Sequence, residues 1–148
     1  MKRRILLVDD DLPVLLTLKA VLELHGFEVD TAASTREAFA HLESATYHMV
    51  ISDLRMETED AGMEVIRAAR RQSYDPATAL LTAFPPTDKH VNGERGTGEQ
   101  PDSMLVKPLG TGDLVRQIEA LLVRHADEQH LRQGNGNPQV QVRRRRAS

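Results

Sequence analysis

The chain has no cysteine and no tryptophan among its 148 residues, and only two tyrosines and three phenylalanines. Without cysteine there is no disulfide and no thiolate to act as nucleophile or metal ligand, a composition that fits a cytoplasmic protein. Long apolar runs are missing too. None approaches the roughly 18–20 residues needed to cross a bilayer, and the start, "MKRRILLVDDD", offers four apolar residues where a secretory signal needs about 7–15. Neither membrane insertion nor export is expected. A basic face is lacking as well. The net charge is −3 although Arg143–Arg146 alone carry four positive charges, so the body of the chain is acidic. No aromatic platform accompanies the arginine run, which reads as a solubilising tip, and no DNA-binding domain is expected.

What remains is an ordinary globular composition, 40% hydrophobic and 28% charged, in a length that suits one domain with a real core. Five short apolar segments read as strands: "RILLVD" (3–9), "FEVDTA" (27–32), "HMVISD" (48–53), "TALLT" (78–82) and "SMLVKP" (103–108). Four are nearly continuous apolar runs, as expected of parallel strands covered on both faces. "FEVDTA" alternates and reads as an edge strand. Helical spacing fills most of the gaps. Residues 13–25 put Val14, Leu15, Leu18, Val21 and Leu22 on one face and stop at Gly26. "STREAFAHLES" opens with Ser34 and Glu37 at capping-box spacing. Residues 62–72 set Met63, Ile66 and Ala69 or Arg70 at helical intervals, and 113–125 set Leu114, Ile118, Leu121 and Leu122, with Thr111 or Asp113 as the expected cap.

Alternating strands and helices predict an α/β domain with a parallel sheet and right-handed crossovers. Residues 85–102, with three glycines and three prolines, show no amphipathic pattern and predict an irregular segment. From Asp127 onward the chain is polar and aperiodic. A domain over 1–126 and a disordered tail over 127–148 are therefore expected.

Ligands of an open α/β sheet gather outside the carboxyl ends of its strands. Strand one ends in Asp9-Asp10-Asp11, strand three in Asp53, strand four in Thr82 and strand five in Lys107-Pro108. Carboxylates grouped in a partly desolvated cleft are costly unless a cation neutralises them. Mg²⁺, held by one or two carboxylates, waters and phosphate oxygens, is the natural partner. A lysine supplies a point charge for a phosphoryl oxygen and Thr82 a hydrogen bond. Asp53 stands alone at its strand end and is the best candidate to accept a phosphoryl group as an acyl phosphate, with Asp9 and Asp10 as metal carboxylates. Asp11 reads as a cap for the helix beginning near Pro13. His25, His41, His48, His90, His125 and His130 show no metal-ligand spacing, and Met49, Met56, Met63 and Met104 read as core filler.

The ordered set "ILLVDDD", "YHMVISDLRM", "ALLTAF" and "LVKPL" resembles the response regulator receiver domain of two-component signalling over residues 3–125. The resemblance implies a flavodoxin-like, doubly wound, five-stranded parallel sheet of order 2-1-3-4-5, an order for which a receiver is itself a standard example. It implies that Asp53 is the phosphoacceptor, that Asp10 binds Mg²⁺ directly with Asp9 acting through water, and that Arg55 contributes its backbone carbonyl. Thr82 becomes the switch hydroxyl, Lys107 the cation on the phosphoryl group, and the Lys107-Pro108 bond is expected cis. The implied partners are a sensor histidine kinase or phosphotransfer protein and a downstream protein target. The expected function is that of a single-domain, cytoplasmic response regulator, a phosphoacceptor rather than an enzyme, with output by protein contact or onward phosphotransfer.

Four features depart from the family pattern, one being the stretch "ETEDAG", a residue longer than usual before Gly62. Glu57 stands where proline is common, Met104 where an aromatic residue is common, and the irregular 85–102 segment lies where a helix is usual between the fourth and fifth strands. The missing helix pattern at 85–102 and Met104 motivate an alternative, a degenerate receiver that docks without phosphorylation. A further alternative is a haloacid-dehalogenase-like phosphatase, since Asp9 and Asp11 have the D-x-D spacing; it would make Asp9 the nucleophile and leave Asp53 unexplained.

Overall fold

A computed structural model describes residues 2–82, 101–106 and 111–135. The strands are β1 (Arg4–Val8), β2 (Glu28–Ala32), β3 (Met49–Asp53), β4 (Ala77–Thr82) and β5 (Ser103–Val106). The helices described are α1 (Leu12–Leu24), α2 (Thr35–Ser44), α3 (Ala61–Arg70) and α4 (Thr111–Asn135). All strand pairs are parallel, in the order β2-β1-β3-β4-β5. This is the flavodoxin-like doubly wound sheet expected, with the alternating segment β2 at an edge.

Strand alternation sends successive side chains to opposite faces, and each face has its own helices. Ile5, Leu7, Met49, Ile51, Ala79 and Leu81 pack with Leu15 and Leu22 of α1 and Leu114, Ile118, Leu121 and Leu122 of α4. Leu6, Val8 and Val50 face the other way, onto Ala38 and Leu42 of α2 and Val65 and Ala69 of α3. Met63 and Ile66 close over Leu80, with Met104 partly buried beside them. The continuous apolar runs of β1, β3 and β4 follow from this: both faces are covered, so no position is left for water.

Local signals set the helix ends. The Asp11 carboxylate accepts the Val14 N–H at 3.3 Å and caps α1. Gly26, at φ 92°, takes the left-handed turn that stops α1, and the Phe27 N–H reaches back to the Leu22 carbonyl at 3.1 Å. Ser34 caps α2 through the Glu37 N–H at 3.2 Å, while the Glu37 carboxylate takes the Ala33 N–H at 2.9 Å, one residue before the cap.

Two expectations change at α4. Thr111 and Asp113 both lie inside the helix and do not precede it. The helix also continues to Asn135, so residues 127–135 are helical and the boundary of a disordered tail at Asp127 does not hold. The extension has no apolar stripe for periodicity to detect. It is rich in helix-forming Glu, Gln, Leu and Arg, and it is pinned by Gln129, whose Nε2 donates to the Asp75 carbonyl at 3.0 Å and to Asp75 Oδ2 at 2.9 Å. The 85–102 segment, apart from Pro101 and Asp102, lies outside the described residues, as do Lys107-Pro108 and Arg143–Arg146.

Candidate functional site

β1 and β3 are adjacent and parallel, with Val8 in register with Ser52. The next residue on each strand is an aspartate, so the sheet delivers Asp9 and Asp53 side by side at its carboxyl edge, at the spacing of neighbouring strands, about 4.8 Å. Asp9, Asp10 and Asp53 each bring one carboxylate oxygen within 4.8 Å of the other two. Asp9 and Asp53 are buried and Asp10 is exposed, so the cluster has a wet side and a dry side. That donor set, all hard oxygen and open on one side, fits a divalent cation that keeps several waters.

Asp9 is held in place by its neighbours. Its N–H donates to the Ala32 carbonyl at 3.0 Å, and its Oδ1 accepts the Asp11 N–H at 3.0 Å. The third aspartate of the run is turned away to cap α1, which separates the three carboxylates into two roles. On the β3 side, Asp53 is in register with Leu81, and Thr82, buried, is the next residue of β4. The Leu54 N–H donates to the Leu81 carbonyl at 2.9 Å, extending the ladder one residue past Asp53. Arg55 lies two residues beyond Asp53 with its side chain exposed. Lys107, the sixth candidate, lies outside the described residues.

Two residues essential to this geometry carry weak sequence signals. Gly62, in the first turn of α3, donates its N–H to the Leu54 carbonyl at 2.8 Å, and a Cβ there would stand 2.2 Å from the Asp53 carbonyl oxygen. Only the absence of a side chain lets α3 come this close to the strand end that carries Asp53. A glycine early in an amphipathic helix was the available clue. Glu57, noted only as a departure, bridges to α2: its Oε2 accepts the Thr35 N–H at 3.0 Å and the Thr35 hydroxyl at 3.2 Å. Its carboxyl is held below the ordinary value, first by its own backbone N–H; burial opposes this, and the two hydrogen bonds from Thr35 add to the lowering. Where a proline would stiffen the loop by fixing φ, this chain ties it to a helix N-terminus.

A family model described as the response regulator receiver domain matches residues 5–119. The chain belongs to the response regulator receiver domain family. It is 37% identical over 122 residues to the transcriptional regulatory protein PrrA of Mycobacterium leprae, a match that covers 82% of this chain and 50% of that protein. It is 31% identical over 140 residues to the transcriptional regulatory protein CpxR of Escherichia coli, covering 94% of this chain and 58% of the relative. The chain thus spans little more than half the length of the curated relatives it matches. Among solved structures it superposes on the chemotaxis response regulator CheY4 of Vibrio cholerae with a TM-score of 0.72 at 28% identity, covering 82% of this chain and 99% of that one. The response regulator TrrA of Thermotoga maritima, solved with Mg²⁺ and BeF, matches with a TM-score of 0.66 at 32% identity, again over 82% of this receiver and 99% of that chain.

Membership of the receiver family and the strand order remove support from the phosphatase alternative. So does Asp11, whose carboxylate is occupied with capping α1 and does not form the second half of a D-x-D pair. Among the described residues, no helix is long and apolar enough to cross a membrane.

Proposed function

We propose that this receiver accepts a phosphoryl group on Asp53 from the phosphohistidine of a sensor histidine kinase or phosphotransfer protein in the cytoplasm. The observation that carries the reading is the meeting of Asp9, Asp10 and Asp53 oxygens within 4.8 Å at the carboxyl edge of β1 and β3. In the transfer, an Asp53 carboxylate oxygen attacks phosphorus and a P–O bond forms. The P–N bond of the donor breaks, and its electron pair stays on the imidazole nitrogen, which takes up a proton. Mg²⁺, when bound, neutralises the charge gathered on the carboxylates and the phosphoryl oxygens. Asp10 would hold it directly, Asp9 would act through water, and Asp53 and the Arg55 carbonyl would complete the protein ligands. Burial of Asp53 keeps bulk water from the acyl phosphate once it exists. Thr82, at the end of the adjacent strand, takes a phosphoryl oxygen by its hydroxyl, and Lys107 takes another as a point charge.

On this reading the chain is a phosphoacceptor that assists its own modification and is not a turnover enzyme. The named relatives are transcriptional regulatory proteins of which the match covers 50% and 58%, so the output step is a property of the whole protein. Here it is proposed only as contact between the phosphorylated receiver and a partner surface, biased by a two-state equilibrium.

The decisive experiment is incubation with acetyl phosphate and Mg²⁺ followed by intact-mass measurement. A gain of one phosphoryl mass, lost on chelation of Mg²⁺ and lost in Asp53→Asn, is expected. No gain, or a gain that survives Asp53→Asn, defeats the reading. Partner binding indifferent to both Mg²⁺ and Asp53→Asn would instead identify a docking module.

A further inference from the structure

At the opposite end of the sheet from Asp53, where β4 and β5 begin, α4 crosses over Asp75 and Asp102. His125, on α4, is 6% exposed. Its Nε2 lies 2.9 Å from the Asp75 carbonyl oxygen, which accepts only, so Nε2 carries the proton and donates. The same ring faces Asp75 Oδ2 at 3.7 Å. This leaves Nδ1 as the second ring position, buried and, among the described residues, without a hydrogen-bond partner. It faces Asp102 Oδ2 at 3.7 Å. In the neutral ring, a lone pair points at a carboxylate, an arrangement that repels unless a cation lies between them. One turn further along α4, at the i,i+3 spacing that puts two residues on one face, stands Glu128. Asp102, His125 and Glu128 each bring a ligand atom within 4.8 Å of the other two.

The geometry points to a second cation site on this receiver, for a first-row transition-metal ion of the Zn²⁺ class, held by Asp102, His125 Nδ1 and Glu128. One imidazole and two carboxylates suit Zn²⁺, Co²⁺ or Ni²⁺ better than Mg²⁺, which prefers oxygen alone. A tetrahedral ion with bonds of about 2.0–2.2 Å spaces its ligand atoms roughly 3.4 Å apart. The pair at 3.7 Å is close to that, and Glu128, exposed, is free to swing inward and gives the ion a path from solvent. The outer contacts are those of a metal-bound histidine: the ring N–H not facing the ion donates to a backbone carbonyl. Asp102 is likewise oriented, its Oδ2 accepting the Thr78 N–H at 2.8 Å and the Thr78 hydroxyl at 3.1 Å.

Two guanidiniums oppose the ion. Arg70 lies 3.4 Å from Asp102 Oδ1, and Arg124 donates to the Asp102 carbonyl at 3.2 Å. They lower the affinity and leave Oδ2 as the coordinating oxygen, which gives up the longer of its two Thr78 hydrogen bonds, that from the hydroxyl, when the ion binds. Bound there, the ion ties α4 to the chain entering β5. The inference does not depend on phosphorylation of Asp53.

The test uses the full chain, stripped with chelator and then kept in excess Mg²⁺ to occupy the acidic pocket. Zn²⁺ is titrated calorimetrically, and Co²⁺ serves as the spectroscopic probe. One equivalent of Zn²⁺ is expected, with intense tetrahedral Co²⁺ bands. Glu128→Gln, at an exposed position, is expected to weaken binding at least tenfold and His125→Gln to abolish it, while Asp53→Asn retains it. Should His125→Gln fail to fold, the ¹⁵N shift of the His125 ring on adding Zn²⁺ to the unaltered chain gives the same answer. The proposal is overturned by the absence of Zn²⁺ binding over Mg²⁺, by binding that Glu128→Gln leaves unchanged, or by loss of binding in Asp53→Asn. A proton on Nδ1 that Zn²⁺ does not displace also overturns it, and makes the pair an imidazolium–Asp102 ion pair.

Discussion

Gly62 and Asp53 are in backbone contact: a methyl group on Gly62 would stand 2.2 Å from the Asp53 carbonyl oxygen and 2.7 Å from the Leu54 Cα. The neighbour is main chain at a strand end, which cannot swing aside as a flexible side chain does. Gly62→Ala is therefore expected to destabilise the fold by about 1–3 kcal/mol, the cost of an overpacked contact. Because the displaced atoms belong to Asp53 and Leu54, phosphorylation by a small donor is expected to slow by more than the stability loss alone explains. Thermal melts and single-turnover phosphorylation of the same sample check this; a stable variant phosphorylated at the normal rate contradicts it.

The neighbouring aspartates Asp10 and Asp11 are expected to separate cleanly. Asp11→Ala loses the cap on α1 and about 0.5–2 kcal/mol of stability, with Mg²⁺ affinity nearly unchanged. Asp10→Asn leaves stability similar or slightly raised, since a carboxylate is removed from an acidic cluster. Its Mg²⁺ affinity falls on the order of tenfold or more. Calorimetry is the right readout for both, because the chain has no tryptophan to report the ion by fluorescence.

Glu57 should leave an acid-side signature. Its folded carboxyl is held below the ordinary value, so the stability it contributes is present above that ordinary value and is lost as pH falls through the lower, folded one. Glu57→Ala is expected to cost about 0.3–1 kcal/mol at neutral pH, typical of an exposed carboxylate at a helix N-terminus. The gap between variant and parent should close as the solution is made acidic. Denaturant midpoints measured across the acid range decide it.

The two tyrosines make an alkaline probe. Tyr74 is pushed up to about 12, chiefly by burial and then by the Glu43 charge. Tyr47 is raised further by burial and by its 2.7 Å hydrogen bond to Asp30. An unfolded tyrosine ionises near 10, so the stability each contributes is intact below about pH 10 and is lost as pH climbs toward the folded values. Tyrosinate absorbance is expected to stay low at pH 10 and to rise together with unfolding near pH 12. With only these two tyrosines and no tryptophan, the signal has no other source.

Residue order alone determined the frame of this receiver. Four continuous apolar runs require a sheet covered on both faces, and the amphipathic stretches between them supply the covers. Because Asp9 directly follows β1 and Asp53 ends β3, adjacency of the two strands is enough to bring the aspartates together. Such signals are local and periodic, which is why they can be read along the chain. Tertiary structure alone decided the rest. The helical course of 127–135 depends on Gln129 reaching Asp75, the tie from Glu57 to Thr35 spans 22 residues, and His125 meets Asp102 across 23 positions, a pairing that no helical or strand period encodes. Gly62 is informative only once the backbone it touches is in place. Each is a contact between single groups distant in sequence, where periodicity has nothing to register and only the packed geometry brings the atoms together.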